Sequence, residues 1–178
     1  MVVFYGPMAF SSIAKQSYDR KNLNMILSGN YENIEIPGKI LKPGSVKSPV
    51  TGGCMSNITS VLGTEYFPDL KQKILLLEDI NERAYRLDRM IWQMNENGCF
   101  SEISGLILGE FPGCFNDEEE KRNFFNNLKK YLNKYDIPVL YDLPVGHSDN
   151  ICTIPFGIEI EINTDKFAGI IIKEKGVI

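Results

Sequence analysis

Apolar positions along this chain switch between two spacings, one suited to strands and one to helices. Val2 to Tyr5 is a short all-apolar run, the pattern of a strand covered on both faces, and Gly6-Pro7 ends it. A helix is predicted over about 17–27, carrying Leu23, Ile26 and Leu27, with Gly29 as its stop. Asn33 to Ile36 and Lys39 to Leu41 read as edge or crossover strands in a stretch punctuated by Pro37, Gly38, Pro43, Gly44 and Pro49. Thr51-Gly52-Gly53 reads as a tight turn leading into a short helix from Ser56 to Leu62.

Lys73 to Leu77 is a buried strand. Asn81 is the expected cap of a helix running to Asn97, with Ala84, Leu87, Ile91 and Met94 at the 3.6-residue period. Ile103 to Leu108 is another strand. Asp117 followed by Glu120 starts a second long helix that buries Phe124, Phe125, Leu128 and Leu132. Pro138 to Tyr141, Ile151 to Phe156, Ile158 to Ile162 and Phe167 to Ile172 complete the strands, and Asn163-Thr164-Asp165 is a hairpin turn. Strand and helix alternate through the middle and strands finish the chain, so the predicted class is α/β with an antiparallel tail. The Pro/Gly-rich stretch divides it into two units, 1–36 and 37–178.

Composition narrows the functional classes. Hydrophobic residues are 43% and charged residues 24%, ordinary for a globular protein. The net charge of −4 offers no basic excess to replace phosphate counterions, so no nucleic-acid partner is expected. Cys54, Cys99, Cys114 and Cys152 lack Cys-x-x-Cys spacing, and with a single histidine neither a metal site nor another cofactor is expected. Free thiols in a reducing cytosol are the simpler expectation. No apolar run approaches the roughly 20 residues that span a bilayer, so no membrane association is expected.

The candidate chemistry rests on two residues. His147 is the only histidine, in Leu143-Pro144-Val145-Gly146-His147-Ser148, and the run Ile74-Leu75-Leu76-Leu77 ends in Glu78-Asp79. A carboxylate on one ring nitrogen fixes the tautomer of a histidine base and stabilises its protonated form. The competing interpretation is a surface acid and an unrelated loop histidine. Gly52-Gly53 lacks the Gly-Lys-Ser/Thr ending of a phosphate loop. Tyr85, Asp88 and Arg89 share a side of their helix; together with Arg86 they suit either a substrate carboxylate or a structural ion-pair network. No Gly-x-Ser-x-Gly elbow occurs. Ser148 is too close in sequence to reach its neighbour's ring well. Ser56, starting a helix after two glycines, is the better nucleophile candidate, but no oxyanion donors accompany it.

At these residues the chain resembles the LD-carboxypeptidase family of serine peptidases, which includes the microcin self-immunity peptidases. The resemblance rests on Phe4-Tyr5-Gly6-Pro7-Met8, Gly52-Gly53, Leu62-Gly63-Thr64-Glu65-Tyr66, Ile74 to Asp79, Glu82 to Arg89, Gly146-His147 and the tail Asn150 to Gly157, in that order. It implies the swivelling β/β/α-type C-terminal domain of that family over 37–178, with 1–36 a remnant of its N-terminal α/β domain. It implies a Ser–Glu–His triad in which Glu78 and His147 match the acid and base. The family's serine sits in a Gly-x-Ser-Asp elbow shortly before the strand matched by Val2 to Tyr5; in this sequence, no such elbow stands before that strand. Where the family tends to have Asn-Leu after the paired glycines, Cys54-Met55 stands.

The resemblance implies cytoplasmic recycling of murein tetrapeptides by cleavage of an amide next to a D-amino acid, without metal or organic cofactor and often as a dimer. The expectation is therefore a C-terminal part of a serine carboxypeptidase, its nucleophile lying before residue 1, inactive alone. Residues 1–36 are expected to pack poorly and to recruit a second copy or another partner. Three alternatives remain: a non-catalytic partner- or peptide-binding module, a microcin-type peptidyl-nucleotide hydrolase, and a complete hydrolase using Ser56.

Overall fold

A computed structural model describes residues 1–147 and 149–177; the Ser148 candidate lies outside the described residues. Ten strands and five α-helices form it. The strands are β1 (Val3–Tyr5), β2 (Ile34–Pro37), β3 (Lys39–Lys42), β4 (Ser45–Cys54), β5 (Ile74–Glu78), β6 (Gly105–Leu108), β7 (Val139–Tyr141), β8 (Ile154–Phe156), β9 (Glu159–Asn163) and β10 (Gly169–Ile172). The helices are α1 (Arg20–Ser28), α2 (Met55–Ser60), α3 (Ala84–Glu96), α4 (Cys99–Glu102) and α5 (Glu118–Leu132).

Eight strands form one mixed sheet in the order β2-β10-β9-β4-β5-β6-β7-β3. Its two outermost strands are consecutive in sequence, separated only by Gly38. The sheet must therefore curl until its ends meet, and residues 34–42 act as one bent strand that closes it. The first half pairs antiparallel with β10 and the second antiparallel with β7. A side chain at Gly38 would strike Leu143, so the bend needs a glycine.

Alternation along the strands separates two cores. Ile74 and Leu76 of β5, Ile107, Leu140, Ile160, Ile162, Ile170 and Ile172 fill the inside of the curled sheet, joined by Ile34, Ile36 and, from α1, Ile26. Leu75, Leu77, Leu106, Leu108 and Val139 face outward against Met55, Leu87, Ile91, Met94, Phe124, Phe125 and Leu128 of the helices. β4 to β7 are parallel to one another, while β9, β10 and the closing strand run antiparallel to their neighbours. The α/β class with an antiparallel tail is the observed one.

Several local expectations change. The Pro/Gly stretch hides a ten-residue strand. β4 pairs with β9 up to Pro49 and then with β5 from Val50 onward. Gly52 lies in that strand and not in a turn: a Cβ there would strike the Leu76 carbonyl, so glycine serves close strand approach. Asn81 does not cap α3. It adopts a left-handed conformation, with φ 58°, and Arg83 occupies the cap position. The start of α5 is as expected: Asp117 accepts from the Glu120 N–H at 2.8 Å, and the Glu120 carboxylate accepts from the Asn116 N–H at 2.7 Å. The division at residue 36 falls inside β2. Ile34 and Ile36 are buried in the inner core, and β2 is hydrogen-bonded to β10, so α1 and β2 share the core of the later residues.

Candidate functional site

The carboxyl end of β5 delivers Glu78. Its parity with Ile74 and Leu76 turns the side chain toward the inner core's rim, where it is fully buried. A carboxylate there is costly without partners. Two are present: Tyr5 Oη donates to Oε1 at 2.6 Å, and His147 Nδ1 lies 2.8 Å from Oε2. An ionised carboxylate can only accept, so opposite one Nδ1 is the donor, and in the neutral ring Nε2 then carries the lone pair.

His147 arrives on the loop after β7. Leu143 N–H donates to Leu108 O, Val145 N–H to Leu143 O, and Cys152 N–H to Pro144 O, which anchors the loop across the parallel strands. Gly146 has φ 91°, and a side chain there would strike the Glu78 carboxyl. A Cβ at Gly109 would come 2.9 Å from Glu78 Cβ. These two glycines let the acid and the histidine loop meet.

Burial first, and then the bond to Glu78, push the Tyr5 phenol above its ordinary pKa, so it remains a neutral donor. Its ring stacks on Phe156, 5.3 Å between centroids. The neighbouring Asp79 has a different task. Its Oδ2 accepts from the Ser56 N–H at 2.8 Å and its Oδ1 from the Ile80 N–H at 2.9 Å, so it fixes the start of α2.

The His147 side chain is one-third exposed and opens onto a cavity of about 350 Å³. Tyr5, Met8, Ser11, Ser12, Lys15 and Ile151 are among its walls. Part of that wall is a wide π turn, Ala9–Ile13, in which Ile13 N–H donates to Met8 O. Ser56 points elsewhere; its Oγ lies 3.1 Å from Cys54 Sγ. On α3, Arg86 pairs with Glu82 at 3.4 Å and Asp88 accepts from Asn127 at 3.4 Å, a structural role rather than a wall of this cavity.

Sequence reasoning brought Glu78 and His147 to attention and missed Tyr5. Its signal resembled that of Glu78: a residue with a polar tip closing an apolar strand run. Cys99 and Cys114 are buried, and burial pushes both thiols up to about 11.

The family model described as the LD-carboxypeptidase C-terminal domain matches residues 47–162. A Bacillus subtilis protein named "Probable murein peptide carboxypeptidase" is 30% identical over 99% of this chain and 57% of its own length. The microcin C7 self-immunity protein MccF of Escherichia coli is 29% identical over 68% of this chain and 36% of its own. Among solved structures, muramoyltetrapeptide carboxypeptidase from Oxalobacter formigenes superposes with a TM-score of 0.79 at 25% identity, covering 98% of this chain and 62% of that one. MccF in complex with glutamyl sulfamoyl guanosine gives the same TM-score at 20% identity, a likeness of fold alone. The chain thus spans a little over half the length of the first curated relatives, 57% and 53%.

Proposed function

The chain belongs to the LD-carboxypeptidase family, and on that premise we propose that Glu78 and His147 are the acid and base of a serine-type centre. The bond hydrolysed is an amide next to a D-amino acid in a murein peptide, in the cytoplasm. The observation that carries the proposal is the 2.8 Å contact between a fully buried Glu78 and His147, with the ring opening onto a cavity.

In this scheme Nε2 of His147 takes the proton of a serine hydroxyl as its oxygen attacks the scissile carbonyl. Glu78 holds the imidazolium that forms. The same Nε2–H then protonates the departing amine of the D-amino acid. Water, activated by the freed base, hydrolyses the acyl-serine. The serine and oxyanion donors come from a polypeptide other than residues 1–178. Exposed Val3, Phe4, Met8 and Phe10, of which Met8 lines the cavity, form the contact face for that polypeptide or for a second copy.

The murein substrate is favoured over a peptidyl nucleotide because the Bacillus subtilis relative aligns over 99% of this chain and MccF over 68%. A second reading has its own observation: Ser11, Ser12 and Ser17 line the same cavity as His147, and one of them could be a local nucleophile.

The test is D-alanine release from a murein tetrapeptide. The chain alone should be inactive, since losing a nucleophile costs on the order of 10⁶-fold in turnover. Adding the serine-bearing N-terminal part of a relative should restore release, and His147→Ala should abolish it again. Turnover by the chain alone that vanishes in His147→Ala would overturn the two-part scheme in favour of a local serine. Restored turnover that survives His147→Ala would remove His147 from the chemistry.

A further inference from the structure

Tyr5 Oη donates to the one Glu78 oxygen that His147 does not use, at 2.6 Å, a length typical of an O–H bond to a charged oxygen. We infer that Tyr5 is a positioning residue for the acid: its hydroxyl holds the Glu78 carboxyl turned so that Oε2 meets His147. The inference rests on the acid–base reading above and adds a residue to it.

A fully buried carboxylate tends to take up a proton unless donors stabilise its charge. Among the described residues, the hydrogen-bond partners of the Glu78 side chain are Tyr5 and His147 alone. Without the phenol, the carboxyl would face its burial with one partner. It could then rotate about its last bond and leave Nδ1. A neutral ring without that acceptor is free to carry its proton on either nitrogen. With the proton on Nε2, that nitrogen could no longer accept from a nucleophile. One hydroxyl on a remote strand would therefore decide whether His147 is a base.

The surroundings of Tyr5 fix its aim. Its ring lies flat on Phe156, with planes 8° apart, and β1 pairs with β8 through Tyr5 and Ile154. Gly53 of β4 lies against the ring as well: a Cβ there would be in ordinary contact with Tyr5 Cε2, at 3.5 Å. The phenol stays protonated because burial disfavours its anion, so it is a permanent donor and not a proton carrier.

His147 is the only histidine in the chain, so its ring nitrogens can be followed by ¹⁵N–¹H correlation spectroscopy without assignment ambiguity. The wild-type chain should show one tautomer, protonated at Nδ1, and a slowly exchanging downfield proton bonded to Glu78. Tyr5→Phe keeps the stacking ring and removes only the hydroxyl. It should lose the downfield proton and convert the single tautomer to a mixture. Val2→Ala, which trims packing beside β1 but leaves the strand pairing and the hydroxyl, should keep the wild-type spectrum.

A wild-type spectrum in folded Tyr5→Phe overturns the inference. So does an equal loss in Val2→Ala, because packing around the strand and not the hydroxyl would then be responsible. Glu78→Leu, which has no acceptor, separates the two levels. If folded Glu78→Leu leaves the wild-type tautomer and proton intact, the acid–base pairing itself fails. If Glu78→Leu abolishes them and Tyr5→Phe does not, only the role of Tyr5 fails.

Discussion

Residues 1–19 and residues 20–37 adjoin in sequence yet belong to the structure in different ways. In the first segment Val3, Phe4, Met8, Phe10 and Ile13 are exposed, and Phe10 is 97% so. Its main ties are the three residue pairs between β1 and β8, and the Asp19 N–H bonded to Ile151 O. In the second, Ile26, Ile34 and Ile36 lie in the inner core. Asn22 accepts from the Thr153 N–H at 2.6 Å, and Tyr31 donates to Glu174 O. The difference separates two tasks. Residues 20–37 fill the inner core and supply the first half of the closing strand, while residues 1–19 wall the cavity and deliver Tyr5 to Glu78.

That contrast can be broken most directly at Ile36. Ile36→Ala removes a core side chain from the closing strand and should cost about 2–5 kcal/mol in urea denaturation. A cost below about 1 kcal/mol would mean that the strand is not part of the cooperative core.

Thiol labelling gives a finer, kinetic comparison. Cys152 shares a cavity wall with Asn22 and Met25 of α1 and with Ile34 and Ile36 of β2. Burial pushes its thiol up to about 12, so at pH 8 it stays protonated and unreactive. An aromatic disulfide reagent should modify the partly exposed Cys54 first and reach Cys152 only as the structure opens. Ile36→Ala should accelerate the second phase. Rapid labelling of Cys152 in the wild-type chain would show that α1 and β2 are loosely docked.

The smallest stability effect is expected at Phe10. Phe10→Ser should alter unfolding by no more than about 0.5 kcal/mol. It should nevertheless weaken self-association in sedimentation, since it removes the most exposed ring of the proposed contact face. Unchanged association would place that face elsewhere.

What could be read along the chain follows the same division between local and distant causes. Glu78 stood out because a charge closes a run of four apolar residues, and His147 because it has no rival. The helices over Leu87–Met94 and Phe124–Leu132 declared themselves by period. β4 did not, because Pro49, Gly52 and Gly53 are poor strand formers; only the proximity of the Leu76 carbonyl explains the glycine. The closure by residues 34–42 was hidden for a similar reason. Two short runs split by Gly38 look like neighbouring edge strands, and nothing local says that their partners are β10 and β7. Tyr5 passed as an ordinary apolar strand residue because its hydroxyl meets a carboxylate far along the chain.

The closing strand also sets a timetable. Residues 34–37 pair with residues 169–172, so a ribosome releases one partner long before the other. At bacterial-to-eukaryotic elongation speeds the wait is on the order of ten seconds. During it, Ile34 and Ile36 have no ladder to join, and Ile26 has no completed interior to enter. Nascent chains of this protein should therefore bind hydrophobic-segment chaperones through residues 20–37 until the last strand emerges, and a stop codon before residue 169 should leave a product that aggregates rather than a smaller folded one.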